Sequence, residues 1–165
     1  MKLTFEVWGR VSRPLNRVFR AIQQPKELSS YFTTGGASGP LESGKTVFWD
    51  FHDFPGKFPV KVKRVVKNKS ILIAWGSATG GLNDVLFTFK RISPRSTEVR
   101  IRESGWTNTP KGREAAFGNC MGWSQMLSAL KAYVEYGINL RKGAYGGLYN
   151  SSDNQTNPER RSAAK

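Results

Sequence analysis

Glu103-Ser-Gly-Trp106 and, further along, Gly122-Trp-Ser-Gln-Met-Leu-Ser-Ala-Leu-Lys-Ala-Tyr-Val-Glu135 decide how this chain folds. The first stretch reads as a strand end that carries a carboxylate. The second belongs to one long amphipathic helix. Ala116, Cys120, Trp123, Leu127, Leu130, Val134, Ile138 and Arg141 recur in steps of three or four, which predicts a helix over about 111–141 with Gly143 as its stop. Ser124, Ser128, Lys131, Glu135 and Lys142 form the polar flank of that stripe. Such a helix needs a large apolar surface to lie on.

The rest of the chain supplies that surface as strands. Leu3, Phe5, Val7 and Val11 alternate with Thr4, Glu6, Trp8 and Arg10, a strand period. Ser12 is placed to cap a helix with Pro14 in its first turn, followed by Leu15, Val18, Phe19 and Ile22 at helical spacing. Pro25 opens a second short helix with Leu28, Tyr31 and Phe32 on one face, and Thr33 to Lys45 reads as a loop. Strands are expected at 46–52, 57–67, 70–75, 85–92 and 97–103. Residues 57–67 alternate Val and Lys until the phase slips at Val65-Val66, which predicts a bulge there. Asp53-Phe-Pro-Gly56, Gly80-Gly81 and Ser93-Pro-Arg-Ser96 are turn sequences short enough to join neighbouring antiparallel strands.

Composition limits the classes of function. A chain of 165 residues makes one domain, with 12% aromatic residues to fill it. No apolar run approaches the roughly 20 residues of a membrane span, and the N-terminus alternates from the start where a signal peptide would have a continuous apolar core. With a single cysteine, Cys120, no internal disulfide forms, and a cytoplasmic location is the simplest expectation. The net charge is +14; Asn150 to Lys165 hold three basic and two acidic groups, so 1–149 carry +13. Lys57, Lys61, Lys63, Arg64, Lys67 and Lys69 form one basic group, and Arg13, Arg17 and Arg20 a second. An anionic partner is one reading of that charge, and a solvated basic surface is the other.

One strand, two short helices, a run of strands and one long helix is an order that resembles the helix-grip architecture of the START-like (SRPBCC) superfamily. The motifs resemble its branch related to the activator of the heat-shock protein 90 ATPase. They are Val18-Phe-Arg-Ala-Ile22 with Glu27-Leu-Ser-Ser-Tyr-Phe32, Ile73-Ala-Trp75, Glu103-Ser-Gly-Trp106, Gly122-Trp123 and Leu130-Lys-Ala-Tyr133. Together they cover about residues 1–142. The resemblance implies an α+β fold in which a curved antiparallel sheet grips the C-terminal helix. It also implies a domain over 1–143; the remainder, 144–165, is expected to be a disordered polar tail, because beyond Tyr149 Ser, Asp, Asn, Gln and Thr follow without periodicity. Single-domain relatives resemble small-molecule binders, and a few superfamily members are cyclases, dehydratases or hydrolases.

A pocket between helix and sheet would be lined by Trp123, Leu127 and Leu130 from the helix, and by Trp49, Phe51, Trp75 and Phe87 from the strands. The same aromatics could simply fill the core, since burying each is worth about 1.5–3 kcal/mol. Glu103 shares parity with Val99 and Ile101, so it should face inward as a polar anchor, with Trp106 and Trp123 as walls. Its alternative is a structural bond to a basic side chain or to loop N–H groups. The opening of the pocket is expected near the 33–44 loop and the 76–83 turn.

No catalytic constellation, cofactor motif or metal spacing is visible. His52 is the only histidine and falls opposite Trp49 and Phe51, and the Gly-rich 34–40 segment lacks the Lys-Ser/Thr ending of a phosphate loop. The expected partner is a hydrophobic or amphipathic small molecule. An acidic protein meeting the basic strand face is the alternative, and an enzyme using the same cavity comes last. Nucleic acid is expected to bind only nonspecifically, through charge.

Overall fold

A computed structural model describes residues 2–77, 80–146 and 148. In chain order these form β1 (Lys2–Val11), α1 (Leu15–Gln23), α2 (Pro25–Leu28), β2 (Gly36–Ala37), β3 (Thr46–Phe51), β4 (Phe54–Val66), β5 (Ser70–Gly76), β6 (Leu82–Ser93), β7 (Ser96–Thr107) and α3 (Pro110–Tyr136). The strands make one antiparallel sheet in the order β1-β7-β6-β5-β4-β3-β2. From β2 to β7, neighbours in sequence are neighbours in the sheet, as short connections require. Strands β1 and β2 lie at opposite edges, and α1 with α2 carries the chain between them. Helix α3 packs on β1, β7 and α1, which is the helix-grip arrangement.

Strand alternation sets the core. Val85, Phe87 and Phe89 of β6 stand opposite Glu103, Ile101 and Val99 of β7, and all six are buried. Arg100 and Arg102 take the outer face. The phase slip foreseen at Val65-Val66 lies earlier, between Val62 and Arg64. Lys63 and Arg64 are consecutive cations, and the bulge leaves both exposed. Without it one of them would point into the core, at the cost of an unpaired buried charge.

The ends of the helices differ from expectation. Helix α1 starts at Leu15, after Pro14, without a side-chain cap. Ser12 instead donates its backbone N–H to Glu135 Oε1 at 2.6 Å. Helix α3 stops at Tyr136, short of Arg141, because Gly137 turns left-handed at φ +71° and its N–H bonds back to the last turn. Ile138 is consequently half exposed and Arg141 turns back toward the body of the protein. Lys131 Nζ also donates to Glu135 Oε1 at 2.6 Å, and the Arg13 guanidinium donates to the Glu135 carbonyl at 2.5 Å. Burial pushes the Glu135 carboxyl up, but the Lys131 and Ser12 hydrogen bonds outweigh it and hold the group below its ordinary value. Of the tail expected from 144 onward, only 144–146 and 148 fall within the described residues.

The motif Glu103-Ser-Gly-Trp106 contains a bulge. Ser104 pairs with Thr4 and Trp106 with Leu3, so Gly105 is the extra residue, at φ +115°. The bulge resets the alternation so that Glu103 and Trp106 both face inward, 0% and 1% exposed. A Cβ on Gly105 would lie 2.7 Å from Asn83 Oδ1. Gly105→Ala should therefore lose about 1–3 kcal/mol in a urea unfolding titration, from the backbone conformation alone.

Candidate functional site

Glu103 is a fully buried carboxylate in an apolar interior. Burying a lone carboxylate costs several kcal/mol unless hydrogen bonds replace its water. Four side chains do so. Trp75 Nε1 and Asn83 Nδ2 each donate to Oε1 at 3.1 Å. Trp123 Nε1 donates to Oε2 at 2.6 Å, and Asn119 Nδ2 lies 3.2 and 3.3 Å from the two oxygens. These contacts use about all the lone-pair directions a carboxylate offers. None of the donors is charged, so the basic partner considered from the sequence is not what satisfies Glu103. Two donors come from the sheet and two from α3, so the carboxylate joins the two layers.

Around this centre the aromatic rings are in mutual contact. Trp123 lies 5.2 Å from Trp75, 5.4 Å from Phe87 and 5.7 Å from Phe32, centroid to centroid. Trp49 reaches Trp75 at 5.9 Å, and Phe32 reaches Phe51 at 5.1 Å. Trp49, Phe51, Trp75, Phe87, Glu103 and Trp123 are thus brought together, and Leu127 and Leu130 are buried on the same side of α3. Trp106 is buried apart from this contiguous core. The indole N–H groups of Trp49 and Trp106 are buried without a partner.

Two residues of the arrangement escaped the sequence reading. Asn119 precedes Trp123 by one helical turn and so shares its face. Asn83 continues the inward parity of Val85 and Phe87. Both signals were present in the spacing. Phe32, expected on the face of the second short helix with Leu28 and Tyr31, is buried as expected but lies after α2, which ends at Leu28. His52 is exposed, and Cys120 is half-buried against the core. Among the described residues no group of three or more His, Cys, Asp and Glu is placed to hold a metal, and no helix is long and apolar enough to cross a membrane.

Two clefts open on the surface, the smaller beside α3 and the larger beside the segment that follows it. One, of about 270 Å³, is bordered by Tyr31, Phe32, Met121, Met126, Leu140 and Arg141. The other, of about 390 Å³, is bordered by Ser29, Thr34, His52, Asp53, Arg141 and Lys142. Both adjoin the 29–34 segment, close to the expected loop. The 76–83 turn borders neither, and Ala78 and Thr79 lie outside the described residues.

Comparison with known proteins follows the same outline. A family model, Activator of Hsp90 ATPase homolog 1-like protein, matches residues 12–135. Among solved structures, protein SSP2350 from Staphylococcus saprophyticus superposes with a TM-score of 0.72 at 24% identity, covering 84% of this chain and 96% of its own. Protein MLL2253 from Mesorhizobium loti gives 0.71 at 23% identity, over 82% of this chain and 99% of its own. The Aha1 dimer from Colwellia psychrerythraea gives 0.70 at 20% identity, over 83% and 99%. Likeness at these identities establishes a common fold. No curated protein matches the chain.

The Glu103 centre makes a measurable demand on stability. Glu103→Leu leaves four N–H donors without an acceptor and should destabilise the fold by about 3–5 kcal/mol. Glu103→Gln keeps the volume but turns an N–H₂ toward donors, for a loss of about 1–3 kcal/mol. Urea unfolding followed by indole fluorescence measures both, and Leu should be the worse of the two.

Proposed function

The chain belongs to the Activator of Hsp90 ATPase homolog 1-like family, and from that premise we propose that it binds an amphipathic small molecule between α3 and the sheet, with Glu103 as polar anchor. The family's fold is a ligand-binding one in general. The observation that carries the proposal for this chain is the buried carboxylate ringed by neutral donors. A core built for stability alone would place an apolar residue there, because a buried charge that lacks a counter-ion gains little over well-packed carbon. Polar groups kept at such a disadvantage mark sites that handle a ligand.

The geometry suggests how a ligand would be received. Asn119 makes the longest of the contacts to Glu103 and is only half-buried, so it is the donor most readily replaced. A ligand hydroxyl or amine takes its place on the carboxylate, and a flat apolar body lies among Trp49, Phe51, Trp75, Phe87 and Trp123, over Leu127 and Leu130, with Trp106, buried apart from these rings, outside it. Room comes from a local shift of α3. Gly118 and Gly122 flank Asn119, and a Cβ at either would meet nothing within 4 Å. Packing does not require those glycines, yet each weakens the helix by about 1 kcal/mol relative to alanine. The helix is softest where it carries the donors to Glu103.

Native mass spectrometry of protein purified from its own source tests this reading. The expected result is a stoichiometric small molecule bearing a hydroxyl or amine, retained by the wild type and lost from Glu103→Gln. Protein that arrives empty, with no thermal shift across lipid, aromatic and polyketide panels, would overturn it.

A second reading rests on a separate observation. Lys67 and Lys69 at the β4–β5 turn, and Lys90, Arg91 and Arg95 at the β6–β7 turn, are exposed together at one end of the sheet. The Phe89 N–H to Lys69 carbonyl bond at 3.0 Å holds the two tips side by side, with Arg10 of β1 beyond them. This end suits an acidic protein partner. Binding to polyglutamate as probe should weaken steeply between about 0.05 and 0.3 M salt, as screening shortens the reach of these charges. Reversing Lys67, Lys69 and Arg91 to Glu should abolish it, whereas reversing Lys2, Lys111 and Arg113 at the opposite end should not.

A further inference from the structure

The two clefts share one wall, Arg141, and we propose that together they form a separate binding site for a small amphipathic acid, with its anionic head at Arg141 and Lys142 and its apolar body against Met121, Met126 and Leu140. The site is independent of the Glu103 centre and shares no residue with the donors around it.

Arg141 is held in an unusual way. Its side chain is 12% exposed, and Nη2 donates to Asp53 Oδ1 at 2.7 Å. Three rings surround the guanidinium, Phe51 at 4.9 Å, Tyr145 at 5.2 Å and Phe32 at 5.8 Å. Cation–π attraction and the ion pair fix the group at the junction of the clefts. They do not satisfy it, because Nε is buried without a partner. A buried orphan donor is a standing cost that an incoming acceptor relieves once the guanidinium turns toward it.

The larger cleft is rich in donors. Asn139 Oδ1 already accepts the backbone N–H groups of Arg141 at 3.0 Å and Lys142 at 3.2 Å, so its amide N–H₂ is what remains to offer. Thr34 Oγ1 accepts the His52 N–H at 3.3 Å and keeps its hydroxyl proton free. Lys142 and Ser29 add an ammonium and a hydroxyl. Asp53 is the one carboxylate bordering this cleft, and it is committed to Arg141. Such a surface selects an oxyanion.

Apart from Arg141 at the shared wall the smaller cleft has no charged side chain, and carbon dominates its lining beside Ser124, Gln125 and Ser128. Burial pushes the Tyr31 phenol well above its ordinary value, so that wall stays neutral at physiological pH. Methionines 121 and 126 adapt to an apolar body of varied shape. Donors on one side and carbon on the other define the ligand class.

Octanoate and 1-octanol are matched probes, followed by titration calorimetry and by NMR shifts. Octanoate should saturate one site and shift the amides of Asn139 and Lys142 together with the methyls of Met121 and Met126. Octanol should bind about tenfold more weakly, for want of the charged head. Lys142 is exposed, so Lys142→Glu folds normally and should weaken octanoate about fivefold while leaving octanol unchanged. The pair Asp53→Asn with Arg141→Met removes both buried charges at once and should reduce the preference for octanoate to what Lys142 alone supplies. Glu103→Gln should leave octanoate binding intact, which separates this site from the helix–sheet one. Equal affinity for the two probes, or shifts centred on Trp75 and Asn119, or an unaltered preference in both charge variants would overturn the assignment.

Discussion

A carboxylate inside an apolar core must find hydrogen-bond donors, and Glu103 finds them in two layers of the fold at once. Trp75 and Asn83 reach it from β5 and β6, and Asn119 and Trp123 from α3. Apolar contacts alone allow a helix to slide or roll on a sheet with little change in energy, because the hydrophobic effect is not directional. Hydrogen bonds to a fixed pair of oxygens do not allow it. Glu103 therefore sets the height and rotation at which α3 lies across the strands. The bulge at Gly105 is part of the same device, since it lets the strand deliver Glu103 and Trp106 to one face.

The far end of α3 is fixed by a different kind of bond. Glu135 ties the last turns of the helix to the corner between β1 and α1 by accepting from the Ser12 N–H and the Arg13 guanidinium. Around the first of these points the helix contains Gly118 and Gly122, which no neighbour demands. The helix is thus firmly held at its end and pinned by hydrogen bonds over Glu103, with weak backbone around the pin.

Beyond Gly137 the chain returns to the body of the protein through Arg141, whose guanidinium sits among Phe32, Phe51 and Tyr145 and pairs with Asp53. Phe32 is common to this cluster and to the rings around Trp123. Phe32 therefore joins the inner aromatic core to the wall of the smaller cleft.

Periodicity alone determined that the chain is a meander of strands with one long C-terminal helix, and that Val85, Phe87, Val99, Ile101 and Glu103 face one way. Those features follow from local geometry, where side-chain direction repeats every two or 3.6 residues. The stop at Gly137 and the early bulge at Lys63 were misplaced from sequence for a common reason. Several positions permit a break, and only packing chooses among them. The partners of Glu103 were decided by tertiary structure, because Trp75, Asn83, Asn119 and Trp123 converge from three elements that register and helix placement bring together. The same holds for Phe32 and for Arg141 with Asp53, separated by 88 positions. Sequence spacing encodes which face a residue takes; which residue meets it across the core depends on how whole elements dock.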